Sequence, residues 1–313
     1  MKLCILYLTD QKRHFTFAPF LALLNVSARK GSWTLMVLTH GKDASFYVQT
    51  LQQHPSIAYS VVPFPEHNNY VKKLAHGISF AEQYGIPYVM KCDNDVFLTP
   101  SVLDYMVDNL HVLEDSQHLT LGPTVSSGIP GVEYFKDTIM HPEARRELEA
   151  LFMKTCFRDA FHGADYAVLN RHTLGAARWD KDAFFEGVRR LATPFKGIHP
   201  IRVNDEALRY LNTYIVRHRA DVMRPRSMRV LDSDNSAYLC NTVFCIKPSV
   251  YKEVLSDPSL HQDGYDEVAL NQYACKHNKK HLFVENGVAI HMYYNWNTNY
   301  IALEKQFCKA FFS

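Results

Sequence analysis

The chain has 313 residues, 47% hydrophobic and 21% charged, an ordinary soluble composition that can bury one large core or two modest ones. A net charge of +2 argues against a nucleic acid held mainly by electrostatics. Seven Cys, an odd number with no C-x-x-C, argue against a structural zinc site and fit reduced thiols in a cytosolic compartment.

Leu3 to Leu8 predicts a first strand, ending in Thr9-Asp10. The opening Met1 to Asp10 is too short and abrupt for a signal peptide. Phe15 to Ala28 reads as a helix, Trp33 to Thr39 as a second strand closed by His40-Gly41, Ala44 to Gln53 as a helix and Ile57 to Val62 as a third strand. Tyr70 to Tyr84 is an amphipathic helix stopped by Gly85. Tyr88 to Lys91 is the fourth strand. The alternation predicts a mostly parallel sheet with helices on both faces. Ligands bind such sheets beyond the carboxyl ends of the strands, where Thr9-Asp10, His40-Gly41 and Asp93-Asn94-Asp95 all fall.

The second half is less regular. Strands are expected at Leu119 to Gly122, Tyr166 to Leu169, Leu239 to Ile246, Leu282 to Val284 and Val288 to Ile290. Helices are expected at Pro142 to Thr155, Ala183 to Leu191, Asp205 to Tyr214, Pro248 to Leu255 and Asp266 to His277. Val222 to Arg229 lacks periodicity and reads as a mobile loop. Asn204-Asp205-Glu206 and Tyr265-Asp266-Glu267 echo one another as two acidic helix starts, stabilised by capping and the helix dipole. No apolar run is long enough for a transmembrane segment, so a soluble protein is expected.

The most informative stretch is Tyr88-Val89-Met90-Lys91-Cys92-Asp93-Asn94-Asp95-Val96-Phe97. Residues i and i+2 of an extended chain share a face, so Asp93 and Asp95 can converge at the end of a buried strand. Two hard oxygen ligands suit Mg²⁺ or Mn²⁺, which complete their shells with substrate phosphates and water. A D-x-D triplet alone is weak, but the apolar run before it and Thr99-Pro100 after it place this one at a strand end. An EF-hand is disfavoured, because Leu98 stands where that loop needs Gly.

The N-terminal half ending in Lys91-Cys92-Asp93-Asn94-Asp95-Val96-Phe97 resembles the nucleotide-sugar domain of GT-A-fold glycosyltransferases. Asn241 to Ser249 is similar to their acceptor-side strand and turn, Asp266 to Asn271 to their acidic helix start, and Ala289-Ile290-His291-Met292-Tyr293 to their late strand with a metal-binding His. The resemblance implies an α/β, GT-A-like, Rossmann-type fold. Residues 1–123 would form the nucleotide-sugar half, 124–236 a long insertion on the acceptor side, and 237–313 the catalytic half of the same domain. It implies a hexosyl- or pentosyltransferase that moves a sugar from a nucleotide-diphosphate sugar to a glycan or other hydroxyl acceptor, UDP being the commonest carrier. The pattern resembles that of small viral or bacterial glycan-building enzymes, and the implied location is the cytoplasm, the host's if the chain is virus-encoded.

The resemblance makes Asp95 a direct metal ligand and His291 the third protein ligand, with Asp93 on the ribose or on the metal through water. Imidazole favours Mn²⁺ over Mg²⁺. Thr9 and Asp10 are placed to hydrogen-bond the base or ribose, and Lys72 or Lys73 to reach the base or a phosphate. Inversion would need a carboxylate base. Asp266 is the first choice, beside Glu267, with Asp165 and Asp205 as rivals; retention would need none. Tyr293, Tyr294 and Trp296 are candidates to stack on a sugar or base, and His199, Arg202, Arg224, Arg226 and Arg229 to meet acceptor or phosphate. Two alternatives stay open. One is a nucleotidyltransferase, disfavoured because Thr9-Asp10-Gln11-Lys12-Arg13 lacks glycine; the other is a catalytically silent sugar- or nucleotide-binding protein.

Overall fold

The computed structural model describes residues 1–9, 11–41, 44–64, 70–127, 131–154, 201, 204–229, 239–260, 266–292 and 299–312. Strands β1 (Leu3–Thr9), β2 (Trp33–His40), β3 (Tyr59–Phe64) and β4 (Tyr88–Asp93) alternate with helices α1 (Phe17–Val26), α2 (Ser45–Gln52) and α3 (Tyr70–Gln83). β5 (Val96–Phe97), α4 (Pro100–Asp108), β6 (His118–Val125), α5 (Gly131–Thr138) and α6 (Pro142–Met153) follow. Next come α7 (Asp205–Arg217), α8 (Arg219–Val222), β7 (Met228–Arg229), β8 (Val243–Ile246), α9 (Pro248–Ser256), α10 (Glu267–Lys276), β9 (Lys280–His291) and α11 (Tyr300–Phe312).

The strands join in one nine-stranded sheet in the order β3-β2-β1-β4-β8-β6-β9-β5, with β7 on β9. The long ladders, β3-β2-β1-β4 and β6-β9, are parallel; β8, β5 and β7 add short antiparallel pairs. This mixed, mostly parallel sheet with flanking helices is the expected GT-A-like α/β architecture.

Strand periodicity divides the core. Leu3, Ile5 and Tyr7 join one buried cluster with Trp33, Val37 and Met90. Cys4, Leu6 and Leu8 join the other with Met36, Val89, Phe244 and Tyr251. Burial on both faces explains why β1 reads as an unbroken apolar run. α3 ends as its glycine demands: Gly85 adopts φ +62°, with Ile86 N–H on the Ala81 carbonyl and Gly85 N–H on that of Glu82.

Several sequence expectations change. A 3₁₀ turn (Gln11–Thr16) precedes α1, so the helix begins at Phe17 and ends at Val26. Only Val243–Ile246 of the Leu239 to Ile246 run is strand. The two short late strands are one, β9, whose register against β6 slips between Val284 and Val288. Asn286 there has φ +54°, a local bulge that reads in sequence as a break. Within Val222 to Arg229, Met228 and Arg229 pair with β9 through backbone hydrogen bonds that no side-chain pattern announces. The expected strand at Tyr166 to Leu169 and helix at Ala183 to Leu191 lie outside the described residues.

Candidate active site

The carboxyl ends of β1, β2 and β4 form one rim. Leu8 is paired with Asp93 and Thr9 with Thr39, so Thr9, His40 and Asp93 stand side by side. Asp93 ends β4, and Asn94-Asp95 make a turn into β5. β5 leaves β4 and pairs with β9 instead, with Val96 opposite His291. Met292 N–H donates to the Asp95 carbonyl at 2.9 Å. That crossing of the sheet brings Asp95 to His291.

The turn also overrides strand alternation, so the two aspartates meet different cations. Asp95 Oδ2 lies 3.5 Å from His291 Nε2 and 3.8 Å from Arg13 Nη2. Asp93 Oδ2 accepts from Lys91 Nζ at 2.9 Å. Between them, Asn94 Nδ2 donates to Thr9 Oγ1 at 3.1 Å, and the Thr9 hydroxyl also meets Tyr47 OH at 2.7 Å. Thr9 is thus a buried strut under the turn. Among the described residues, no group of three His, Cys, Asp or Glu side chains is assembled to hold a metal ion.

His291 is braced from behind. Its Nδ1 lies 2.5 Å from Ser127 Oγ, its backbone N–H donates to Ser126 Oγ at 3.0 Å, and its carbonyl accepts from Asn212 on α7 at 3.4 Å. Burial alone would lower the ring's pKa, but the Asp95 carboxylate outweighs it and pushes His291 up to about 10. Burial would likewise raise Asp95, yet the His291 and Arg13 charges hold it well below the carboxylate range. Asp93 goes the other way: burial outweighs the pull of Lys91, and with Asp95 nearby its carboxyl rises to about 6. Arg13 is anchored by Glu304 of α11, which accepts from Nε and Nη2 at 2.8 Å each.

Asp266 immediately precedes α10, and its side chain does not cap the helix. Instead Oδ1 accepts from Asn241 Nδ2 at 2.5 Å and Tyr70 OH at 3.3 Å, while Oδ2 accepts from Tyr251 OH. The echo at Asn204 behaves as a cap, taking the backbone N–H groups of Glu206 and Ala207 at 3.0 Å. Glu267 is buried in the first turn of α10. On α3, Lys72 is exposed, whereas Lys73 is buried with its ammonium 5.9 Å from the Phe64 ring. Asp205 opens α7; Arg224 and Arg226 are exposed. Asp10, Asp165, His199, Arg202, Tyr293, Tyr294 and Trp296 lie outside the described residues.

The structure adds residues to which sequence reasoning gave no role of their own: Arg13, Lys91, Ser126, Ser127, Asn241, Tyr251 and Glu304. Lys91 left a trace as a charge inside an apolar strand, and Asn241 as the start of the segment similar to an acceptor-side strand.

No family model matches the sequence, and no curated protein matches it. Among solved structures it is similar to a mannosyltransferase from Pyrobaculum calidifontis in complex with GDP-Man and Mn²⁺, at 14% identity and TM-score 0.35, covering 70% of this chain and 75% of that one. S. aureus TarS matches at 12% identity and TM-score 0.32, over 70% of this chain and 43% of that chain. A cytidylyltransferase from Leptospira borgpetersenii matches at 16% identity and TM-score 0.32, over 48% and 73% respectively.

Proposed function

We propose that the chain is a metal-dependent glycosyltransferase that moves a sugar from a nucleotide-diphosphate sugar, UDP-linked by preference, to a hydroxyl of a glycan or other acceptor. The observation that carries this reading is Asp95 beside His291 at the carboxyl rim of the parallel strands, 3.5 Å between Oδ2 and Nε2. One carboxylate and one imidazole at that spacing suit Mn²⁺, or Mg²⁺ less well, with the rest of the shell left to phosphate and water. Asp95 and His291 would hold the ion. When bound, it neutralises the charge gained by the diphosphate as the sugar–phosphate bond breaks.

The other residues prepare that site. Ser127 takes the Nδ1 side of His291 and keeps Nε2 turned toward Asp95. Thr9 and Tyr47 hold Asn94, and through it the turn. Asp93 and Asp10 are assigned to the ribose side, and Lys72 and Lys73 to the base or phosphates. Asp266, Glu267 and Asp165 are assigned to the acceptor side. An acceptor hydroxyl reaching Asp266 would have to displace Tyr70, Asn241 or Tyr251.

A thermal-shift panel tests the reading: UDP, GDP, dTDP and CMP, their sugars and the nucleoside triphosphates, each with Mn²⁺ or EDTA. A ligand at a hundredfold its Kd stabilises by about 2.7 kcal/mol. With about 2.1 cal/mol/K of unfolding entropy per residue, that raises the melting temperature of 313 residues by about 4 °C. The expected result is stabilisation by one nucleotide class, dependent on Mn²⁺ and lost in Asp95→Ala. No shift with any nucleotide would overturn the reading, and stabilisation by a free nucleoside triphosphate instead would favour nucleotidyl transfer.

A further inference from the structure

A second cleft lies apart from Asp95 and His291. It has a volume of about 400 Å³ and is formed by the end of α5, the approach to α6, the α7–α8 junction and the bulge of β9. That volume falls at the lower end of the roughly 300–1,000 Å³ of small-molecule sites. Helix α7 fixes its distance from the candidate active site. Asn212 of that helix donates to the His291 carbonyl, and His218 follows just past the helix end, about 9 Å further along the axis at about 1.5 Å per residue.

The floor of the cleft is aromatic. Tyr214 is buried and stacks on the half-buried His218, with ring centres 4.3 Å apart. The Tyr214 hydroxyl accepts from the His141 N–H at 3.1 Å, and the His141 ring meets His218 edge-on at 5.7 Å. The rim is polar. Asp221 and Arg226 are exposed, and among the described residues neither side chain has a hydrogen-bond or ionic partner. Asn286, also in the cleft wall, has φ +54°, a conformation uncommon for residues other than glycine but tolerated by Asn. Bulges of this kind re-aim side chains beside functional sites.

Three classes of ligand meet these walls differently. A metal ion needs converging ligands, and among the described residues no three His, Cys, Asp or Glu side chains converge. An anion needs a surplus of positive charge, but the one guanidinium shares the cleft with the carboxylates of Asp221 and Glu285. An uncharged polyol suits both the rim and the floor. Its hydroxyls donate to a carboxylate and accept from a guanidinium or an amide. The C–H face of a pyranose ring packs on an aromatic floor.

We propose that this cleft is a carbohydrate subsite that holds an uncharged sugar unit of the acceptor, away from the hydroxyl that reacts. The class of ligand is read from the cleft itself; its part in the acceptor rests on the transferase reading above. Asp221 and Arg226 orient the sugar, and Tyr214 and His218 take its ring face. An acceptor that reaches from here to Asp95 must bridge the length of α7 between them, which calls for an oligosaccharide rather than a single sugar.

The test is saturation-transfer NMR on the full chain, without nucleotide or metal. The probes are neutral di- and trisaccharides of glucose, galactose, mannose and N-acetylglucosamine, with inorganic phosphate followed separately by phosphorus NMR. At least one oligosaccharide is expected to bind. Asp221→Ala and Arg226→Ala should each weaken it about tenfold, as befits the loss of a hydrogen bond to a charged group, while Asp95→Ala stays within about twofold. Both cleft residues are exposed, so their truncation leaves the fold intact. No binding of any of these oligosaccharides, or binding that both cleft variants leave unaltered, overturns the inference. So does phosphate binding that is lost in Arg226→Ala when no sugar binds. A chain that binds a nucleotide but no sugar loses this inference alone. A chain that binds sugar in this cleft but no nucleotide with Mn²⁺ loses the transferase reading and the acceptor role, and keeps the carbohydrate site.

Discussion

Replacing Glu304 with Gln isolates what the last helix contributes to the site. Glu304 has 0% exposure and accepts from Arg13 Nε and Nη2 at 2.8 Å each. The fork geometry makes both hydrogen bonds charge-assisted. An amide of the same shape leaves the guanidinium buried with half its acceptors and no opposing charge from α11. Breaking a buried pair from one side costs about 3 kcal/mol at the low end of the usual range. At about 2.1 cal/mol/K of unfolding entropy per residue, 313 residues translate that into a melting temperature about 5 °C lower. Replacing both partners with Met removes the buried charges together and should return most of the loss, because well-packed apolar groups match such pairs in stability. Arg13 also stands 3.8 Å from Asp95, so in Glu304→Gln the guanidinium turns to that remaining carboxylate and competes with a divalent ion. Thermal unfolding of the wild type, Glu304→Gln, Arg13→Met, Glu304→Met and the double Met variant, followed by circular dichroism, checks the stability; a Mn²⁺ titration checks the coupling. Losses that simply add in the double variant, or an unaltered Mn²⁺ affinity in Glu304→Gln, would refute the argument.

Two further outcomes follow from the same geometry. His291 is raised from an ordinary 6.5 to about 10, so its share of stability is complete below pH 6.5 and is lost as the pH climbs through about 10, whereas Asp95, held below 3.8, loses its share in acid. Metal-free melting temperature should therefore fall between pH 6.5 and 10, with a flatter slope in Asp95→Asn, and Mn²⁺ affinity should rise over the same interval as the ring's proton is released. Ser127→Ala removes the 2.5 Å contact at His291 Nδ1 and should cost roughly tenfold to a hundredfold in Mn²⁺ affinity, read by the same titration, while nucleotide affinity in EDTA stays unchanged.

Much of the architecture is legible in sequence because its causes are local. β1, β2 and β4 are buried on both faces, so they read as apolar runs, and Gly85 marks the end of α3 by a φ that side chains avoid. The acidic turn after β4 is legible for the same reason: a strand that stops at two carboxylates must deliver them to its carboxyl rim. Local reasoning fails where the cause is distant. The echo of Asn204 and Asp266 looks like two caps, but Tyr70, Asn241 and Tyr251 claim Asp266, and none of them is its neighbour in sequence. The β9 bulge looks like a chain break because pairing with β6, not composition, carries the strand across it.

The sequence by itself determined the α/β ladder, the carboxyl rim of its parallel strands and the presence of paired aspartates there, since periodicity, apolar runs and glycine conformation act over a few residues. Only the tertiary structure decided which charge meets which. Arg13 and Glu304 lie 291 positions apart, yet share two hydrogen bonds inside the core. Asp95 reaches His291 only because β5 crosses to β9, and the buried Lys91 that holds Asp93 also meets the Asn241 carbonyl, 150 positions away. Buried charges must be matched within a few ångströms, and chain folding, rather than chain order, supplies their partners.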